Sequence, residues 1–242
     1  MQKKVTPYKN SNDSKKEQVT TMFDNISGSY DELNRVISLG LDIKWRKKVV
    51  ALVSKIKPIK ILDVATGTGD LAINLVETGA TEIIGLDISS GMLEVGRKKI
   101  LHKSLDKTIN MVLGDGERID YPDNYFDAIT VSFGVRNFEN LEQGLSEIFR
   151  VLKPKGVFAV LETSVPTKFP FKQGYYFYSN TILPIVGKLF SKDKGAYTYL
   201  SKSAAVFPYG EEFNNILRKI GFINVVDRPQ TLGVATIYTS SK

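Results

Sequence analysis

Residues 61–70 run Ile-Leu-Asp-Val-Ala-Thr-Gly-Thr-Gly-Asp. An apolar strand, a turn with two glycines and the start of a helix are the parts of a nucleotide-type cofactor loop. Gly67 and Gly69 tolerate positive φ and let the backbone approach a ligand, and a helix start presents unpaired N–H groups. Gly67, Gly69 and Ala72 also meet the Gly-x-Gly-x-x-Gly/Ala spacing of dinucleotide enzymes, so spacing alone leaves the cofactor class open, and a tight turn without a ligand is the plainer use of such a loop. Charge separates the classes: a carboxylate at Asp70 repels a pyrophosphate but suits the ammonium and sulfonium of S-adenosylmethionine.

Three further strand ends carry polar residues that such a ligand could use. Asp87 lies 20 residues after Gly67, where a carboxylate accepts from ribose hydroxyls, and Asp115 in Leu113-Gly114-Asp115-Gly116-Glu117 can accept from an exocyclic amine. Either aspartate alone serves equally well as a helix cap or turn former. The fourth strand ends Ser132-Phe133-Gly134-Val135-Arg136-Asn137, a floor between cofactor and substrate, with Arg136 and Asn137 as candidates for chemistry. An ion-paired surface arginine and a turn asparagine are the alternatives.

The elements that must position these residues follow from periodicity. Apolar runs at 61–64, 82–87, 110–113, 126–132 and 157–162 alternate with helical stretches at 71–77, 90–102 and 141–152, which predicts a parallel sheet. A helix at 211–220 and runs at 222–226 and 234–239, joined by a short connection, add an antiparallel pair. The expectation is one α/β domain of Rossmann-like class I type, a mostly parallel seven-stranded sheet with helices on both faces. Residues 1–18 read as a flexible basic tail, 19–57 as amino-terminal helices, and 164–208, with Pro166, Pro170, Pro184 and Pro208 among many aromatics, as a helical insertion before the last strands. Lys153-Pro154-Lys155-Gly156 is expected to end one helix and turn into the next strand.

Composition narrows the chemistry. The chain of 242 residues has no cysteine and one histidine, His102, in a lysine-rich helix end that suits solvent better than a metal or a base. No metal site is expected. No apolar segment approaches the ~20 residues that cross a bilayer, which predicts a cytoplasmic protein. A net charge of +7 favours an anionic partner, either nucleic acid or a membrane face, although Lys3, Lys4, Lys9, Lys15 and Lys16 can supply much of it as a solvated tail. No recognised RNA-binding motif supports the nucleic-acid reading, and Asp70, Asp115 and the missing Tyr-x-x-x-Lys pair oppose a nicotinamide-dependent oxidoreductase. A non-catalytic cofactor-binding protein stays open.

Two signatures then carry a resemblance: Tyr30-Asp31-Glu32-Leu33-Asn34-Arg35-Val36-Ile37-Ser38 followed by Trp45, and Arg150-Val151-Leu152-Lys153-Pro154-Lys155-Gly156 followed by Leu161-Glu162-Thr163-Ser164. With Ser132-Phe133-Gly134 and Arg136-Asn137, the chain resembles the quinone-biosynthesis C-methyltransferases that act on ubiquinone and menaquinone precursors, from about residue 22 to 238. It departs from their pattern at Leu33 (usually Met), Asp42 (usually His) and Lys155 (usually Gly). The resemblance implies S-adenosylmethionine as cofactor and S-adenosylhomocysteine as product, with contacts from Thr68, Asp87, Asp115, Gly116 and Ser132. It implies C-methylation of demethylmenaquinol to menaquinol or of a ubiquinone precursor, with Tyr30, Asn137 and Arg136 handling the phenolic proton. It also gives residues 175–190 an apolar isoprenoid tail to cover, beside Lys168, Lys172, Lys188, Lys192 and Lys194 for an anionic membrane. A packed loop or a homodimer contact is the alternative use of that segment.

Overall fold

A computed structural model describes residues 5–8, 10–178, 181 and 194–242. Lys3, Lys4, Lys9, Pro184, Phe190, Lys188 and Lys192, and the side chains of Lys194 and Tyr197, lie outside the described residues. Seven strands form one sheet: β1 (Lys60–Val64), β2 (Glu82–Asp87), β3 (Ile109–Leu113), β4 (Phe126–Ser132), β5 (Leu152–Thr163), β6 (Ile223–Gln230) and β7 (Ala235–Ser241). Their order is β3-β2-β1-β4-β5-β7-β6, parallel except where β7 pairs antiparallel with β5 and β6. The order reverses between β1 and β4, so their carboxyl ends flank the crevice where ligands bind in doubly wound sheets.

Alternation along the strands sends apolar side chains to both faces. Leu62, Val64, Ile84, Phe126 and Phe158 pack under α6 (Leu141–Val151) and the late helix Glu211–Ile220, whereas Ile61, Ile83, Ala128 and Ala159 pack under α3 (Leu41–Val53), α4 (Asp70–Leu75) and α5 (Ser90–His102). The first strands are therefore apolar at most of their inner positions, as buried parallel strands are, with Asp63 the exception in β1. Helix starts follow local capping. Ser89 caps α5 through the Met92 N–H, and Asn140 caps α6 through the Gln143 N–H.

The amino-terminal helices α1 (Lys15–Ile26) and α2 (Tyr30–Ser38), with α3, cover the crevice. A capping box between Ser14 and Glu17 starts α1 at Lys15, so Lys15–Gln18 belong to a helix and not to the expected tail. Asp24 of α1 accepts bonds from Ser89 Oγ at 2.6 Å and the Gly91 N–H at 2.8 Å, which ties α1 to the start of α5. Met22 and Ile26 pack with Met92 and with Ala196 and Tyr199 of α8 (Lys194–Val206); α7 (Phe171–Phe177) precedes α8, and Glu211–Ile220 is α9. The Lys153–Gly156 segment lies inside β5 and does not form a free turn, its irregularity absorbed by a shifted register against β4 and by Lys155 at φ +65°.

Candidate functional site

The carboxyl ends of β1, β2, β3 and β4 and the start of α2 enclose three connected hollows. The first, a cleft of about 70 Å³, is lined by Gly67, Asp87, Asp115, Ser132 and Asn137, with Lys16 and Phe23 of α1 on the far side. The second is a polar recess of about 40 Å³ beside the glycine loop, bounded by Asp31, Asn34, Arg46, Asp63, Thr68 and Asp70. The third is an apolar cavity of about 480 Å³ between α2, α3, α7 and α8, within the size range of small-molecule sites. Tyr30 and Phe133 border all three.

The loop after β1 takes its shape from three positive-φ residues, Ala65, Gly67 and Gly69. Gly67 opens onto the cleft, where the nearest neighbour to a side chain would be Tyr30 at 3.8 Å. Gly69 faces Met111 and Ile100, so it shapes the turn without bordering the cleft. Gly116 is likewise turned away, and a Cβ there would meet Val64 at 2.8 Å. Phe133 sits at φ +57° at the end of β4, a conformation that costs free energy and persists where packing enforces it.

Asp87 is buried, and burial pushes its carboxyl above the usual range although it accepts from the Ser89 and Gly67 N–H groups at 2.9 and 2.7 Å. Asp87 lines the cleft, and a carboxylate has acceptor capacity for further bonds from a ligand. Ser132 Oγ is buried with no hydrogen-bond partner, an unmade bond that a ligand hydroxyl or amine would complete. Asp115 accepts from the Glu117 N–H at 2.8 Å and from Lys16 Nζ at 2.6 Å. A ligand amine must therefore share Asp115 with Lys16 or displace it. Asp87, Asp115 and Ser132 are the residues of the cleft that could hold the ribose and base of an adenosyl group.

Asp70 does not present the open negative charge read from the sequence. It is paired with Lys99 and with Arg46 Nη2 at 3.2 Å, and these cations outweigh burial to hold its carboxyl below the usual range. Thr68 donates to Asp31 Oδ1 at 2.5 Å, which turns its side chain into the polar recess. The recess gains a carboxylate that sequence reading missed. Asp63 accepts from Thr130 Oγ1 at 2.6 Å and Thr66 Oγ1 at 2.7 Å, and burial pushes it up to about 6. Its signal was an acid inside an otherwise apolar buried strand.

Arg136 and Asn137 follow β4 on a single helical turn. Arg136 borders the apolar cavity, donates through Nη1 to the fully buried Glu162 and to the Phe133 carbonyl at 3.0 Å, and leaves Nε buried without a partner. Desolvation opposes the charged form, but the Glu162 charge and hydrogen bond, together with Tyr30 and Tyr199, outweigh it and raise the affinity of Arg136 for its proton. Asn137 accepts from Tyr199 Oη at 3.2 Å and borders the cleft, while Tyr30 touches cleft and cavity alike. Burial raises the proton affinity of Tyr30 and of Tyr199. Of the expected trio, Tyr30 borders all three hollows, Arg136 the apolar cavity and Asn137 the cleft. Glu162, seen in the sequence as part of a signature, proves to be the buried counter-charge of Arg136.

Among the described residues no group of three or more His, Cys, Asp or Glu side chains could hold a metal, and no helix is long and apolar enough to cross a membrane. His102 is exposed at the end of α5.

Residues 11–242 match the ubiE/COQ5 methyltransferase family. The chain is 47% identical over 243 residues to the demethylmenaquinone methyltransferase of Bacteroides fragilis, covering 100% of this chain and 98% of that protein. It is 41% identical over 242 residues to the ubiquinone/menaquinone biosynthesis C-methyltransferase of Geobacter sulfurreducens, covering 99% and 93%. Its fold is that of the [4+2]-cyclase SpnF (TM-score 0.67, 18% identity, 99% and 97% covered). It is also that of Haemonchus contortus phosphoethanolamine N-methyltransferase 2 in complex with S-adenosyl-L-methionine (TM-score 0.58, 16% identity, 81% and 52% covered).

Proposed function

The chain belongs to the ubiE/COQ5 methyltransferase family, and we propose from that membership that it is a demethylmenaquinone methyltransferase, converting demethylmenaquinol to menaquinol with S-adenosylmethionine. The carrying observation is the meeting of two hollows at Tyr30 and Phe133: a small cleft with apolar walls that carries the acceptors Asp87 and Asp115 for an adenosyl group, and a large apolar cavity for a prenylated ring. Within the cleft, Asp87, Asp115 and Ser132 would hold the cofactor, with the backbone of Gly67 against it. When bound, the cofactor supplies an electrophilic methyl group and leaves as S-adenosylhomocysteine; no metal takes part in this reading.

The protein's own residues must orient the ring and move its protons. A hydroquinone becomes a carbon nucleophile as a phenolic proton leaves, and the methylated carbon then loses its own hydrogen as a proton to restore the aromatic ring. Arg136, held by Glu162 and with Nε unpaired, offers a donor to the developing phenolate, in a setting where such donors are worth most. Tyr30 and Asn137 flank the same point and can order the water that carries the proton away.

Purified protein incubated with S-adenosylmethionine and chemically reduced demethylmenaquinone should yield menaquinol, and should turn over a ubiquinone precursor less well. Arg136→Met should lower kcat by about 10²–10³-fold and Tyr30→Phe by roughly tenfold. Unchanged turnover at saturating substrate in both variants would remove the assigned roles, and no methylation of either quinol by the wild type would remove the function.

The cavity mouth supports a peripheral contact with an anionic membrane that holds the substrate. Leu39 (77% exposed) and Leu232 (64%) border the cavity, and Phe169 (80%) and Phe177 (64%) lie on the segment that forms its outer wall, beside Lys168 and Lys172.

A further inference from the structure

The polar recess beside the glycine loop holds an arginine with capacity to spare. Arg46 is 7% exposed and borders both the recess and the apolar cavity. Its Nη2 donates to Asp42 and to Asp70, while Nε is buried with no partner and Nη1 bonds no described residue. A guanidinium carries five N–H donors, so most of them are unspent. Lys99, the neighbouring cation, is different: its three donors are directed to Asp31 at 2.8 Å, Thr68 at 3.2 Å and Asp70. A buried donor left unmade is costly, which marks the place of a missing acceptor.

The recess joins the cleft through Tyr30, Ala65, Gly67, Ser132 and Phe133. A ligand whose ribose lies at Asp87 therefore extends its other end there. That end of the adenosyl cofactor is a zwitterion, an ammonium and a carboxylate on one carbon. The carboxylates of Asp63, Asp31 and Asp70 border the recess, the last two paired with Lys99, and Arg46 is the bordering cation with donors left to give. Asp42, one turn before Arg46 on α3, clamps it from below and is itself fixed by Ser38 Oγ at 2.6 Å.

We infer that Arg46 is the anchor for the carboxylate of the cofactor's aminoacyl arm, held in position by Asp42. This rests on the reading that the cleft takes S-adenosylmethionine.

The test measures equilibrium binding of S-adenosylhomocysteine and of its decarboxylated analogue, which lacks only the carboxylate, by titration calorimetry with the full chain. Wild type should prefer S-adenosylhomocysteine by about ten- to a hundredfold, the scale of a charged hydrogen bond. Arg46→Lys retains a charge for Asp42 and Asp70 but loses the remaining fork, and should shrink that preference to below about threefold while leaving the analogue's affinity nearly as it was. A wild type that binds the two ligands alike overturns the assignment whatever the variant does. So does a variant that keeps the full preference, or that weakens both ligands equally. Failure of the wild type to bind either adenosyl ligand would instead overturn the cofactor reading beneath it.

Discussion

At the scale of single residues, the site is a set of buried charges whose partners decide what they can do. Asp70 illustrates how an identity can be legible while its role is not: the sequence places an acid after the glycines, but Lys99 and Arg46, from α5 and α3, cancel its charge. Asp63 runs the other way, because only hydroxyl donors meet it and burial pushes it up to about 6. A carboxyl raised in the fold holds its proton longer than in the unfolded chain, so its stabilising contribution is full below about pH 4 and is lost as pH rises through about 6. Urea unfolding of wild type and Asp63→Asn at pH 4 and pH 7 should therefore diverge. The wild type should lose up to ~3 kcal/mol relative to the variant across that window, since two pKa units correspond to about that much. A difference independent of pH would show that Asp63 does not titrate there.

At the scale of elements, the parallel core is legible because buried parallel strands are mostly apolar and end in turn residues. The segments 82–87, 90–102, 126–132 and 211–220 stand as read. What periodicity could not give was a conformation set by tertiary pairing. Lys153–Gly156 looked like a stop and turn, but the strand continues through it at the cost of putting Lys155 at φ +65°. The quinone methyltransferases usually carry Gly at this position, and a left-handed residue with a Cβ costs roughly 1–2 kcal/mol. Part of that is returned as the greater unfolded-state freedom of glycine. Lys155→Gly should thus raise stability by about 0.5–1 kcal/mol in denaturant melts with no change in activity; a loss of stability would mean that Lys155 makes a compensating contact. The start of α1 differs from the expected tail for the opposite reason. Lysine-rich composition suggested a tail, whereas the Ser14–Glu17 capping box and the reach of Lys16 to Asp115 bind it to the site.

At the scale of the whole molecule, a net charge of +7 and the exposed apolar residues at the cavity mouth belong together. Leu39 and Leu232 both sit at positive φ, at +52° and +61°, so the chain holds two large apolar side chains outward in a conformation that disfavours them. Reversing both to Glu should reduce flotation with anionic vesicles by about tenfold or more and leave turnover of a detergent-dispersed quinol near wild type. Equal flotation of the two proteins would separate the rim from the membrane. Neither the rim nor the cavity was legible from sequence beyond an aromatic insertion, because a mouth is made where α2, α7 and the turn after β6 converge and none of them announces it alone.

Helix α2 gives these scales a common consequence. Its Asp31 is bonded to the glycine-loop Thr68, its Ile37 and Ser38 line the apolar cavity, and Tyr30 borders every hollow. One rigid rod of nine residues is thus wall to both ligands. If a ligand shifts that rod, the two affinities are coupled, and reciprocity requires the factor by which cofactor changes quinol binding to equal the factor by which quinol changes cofactor binding.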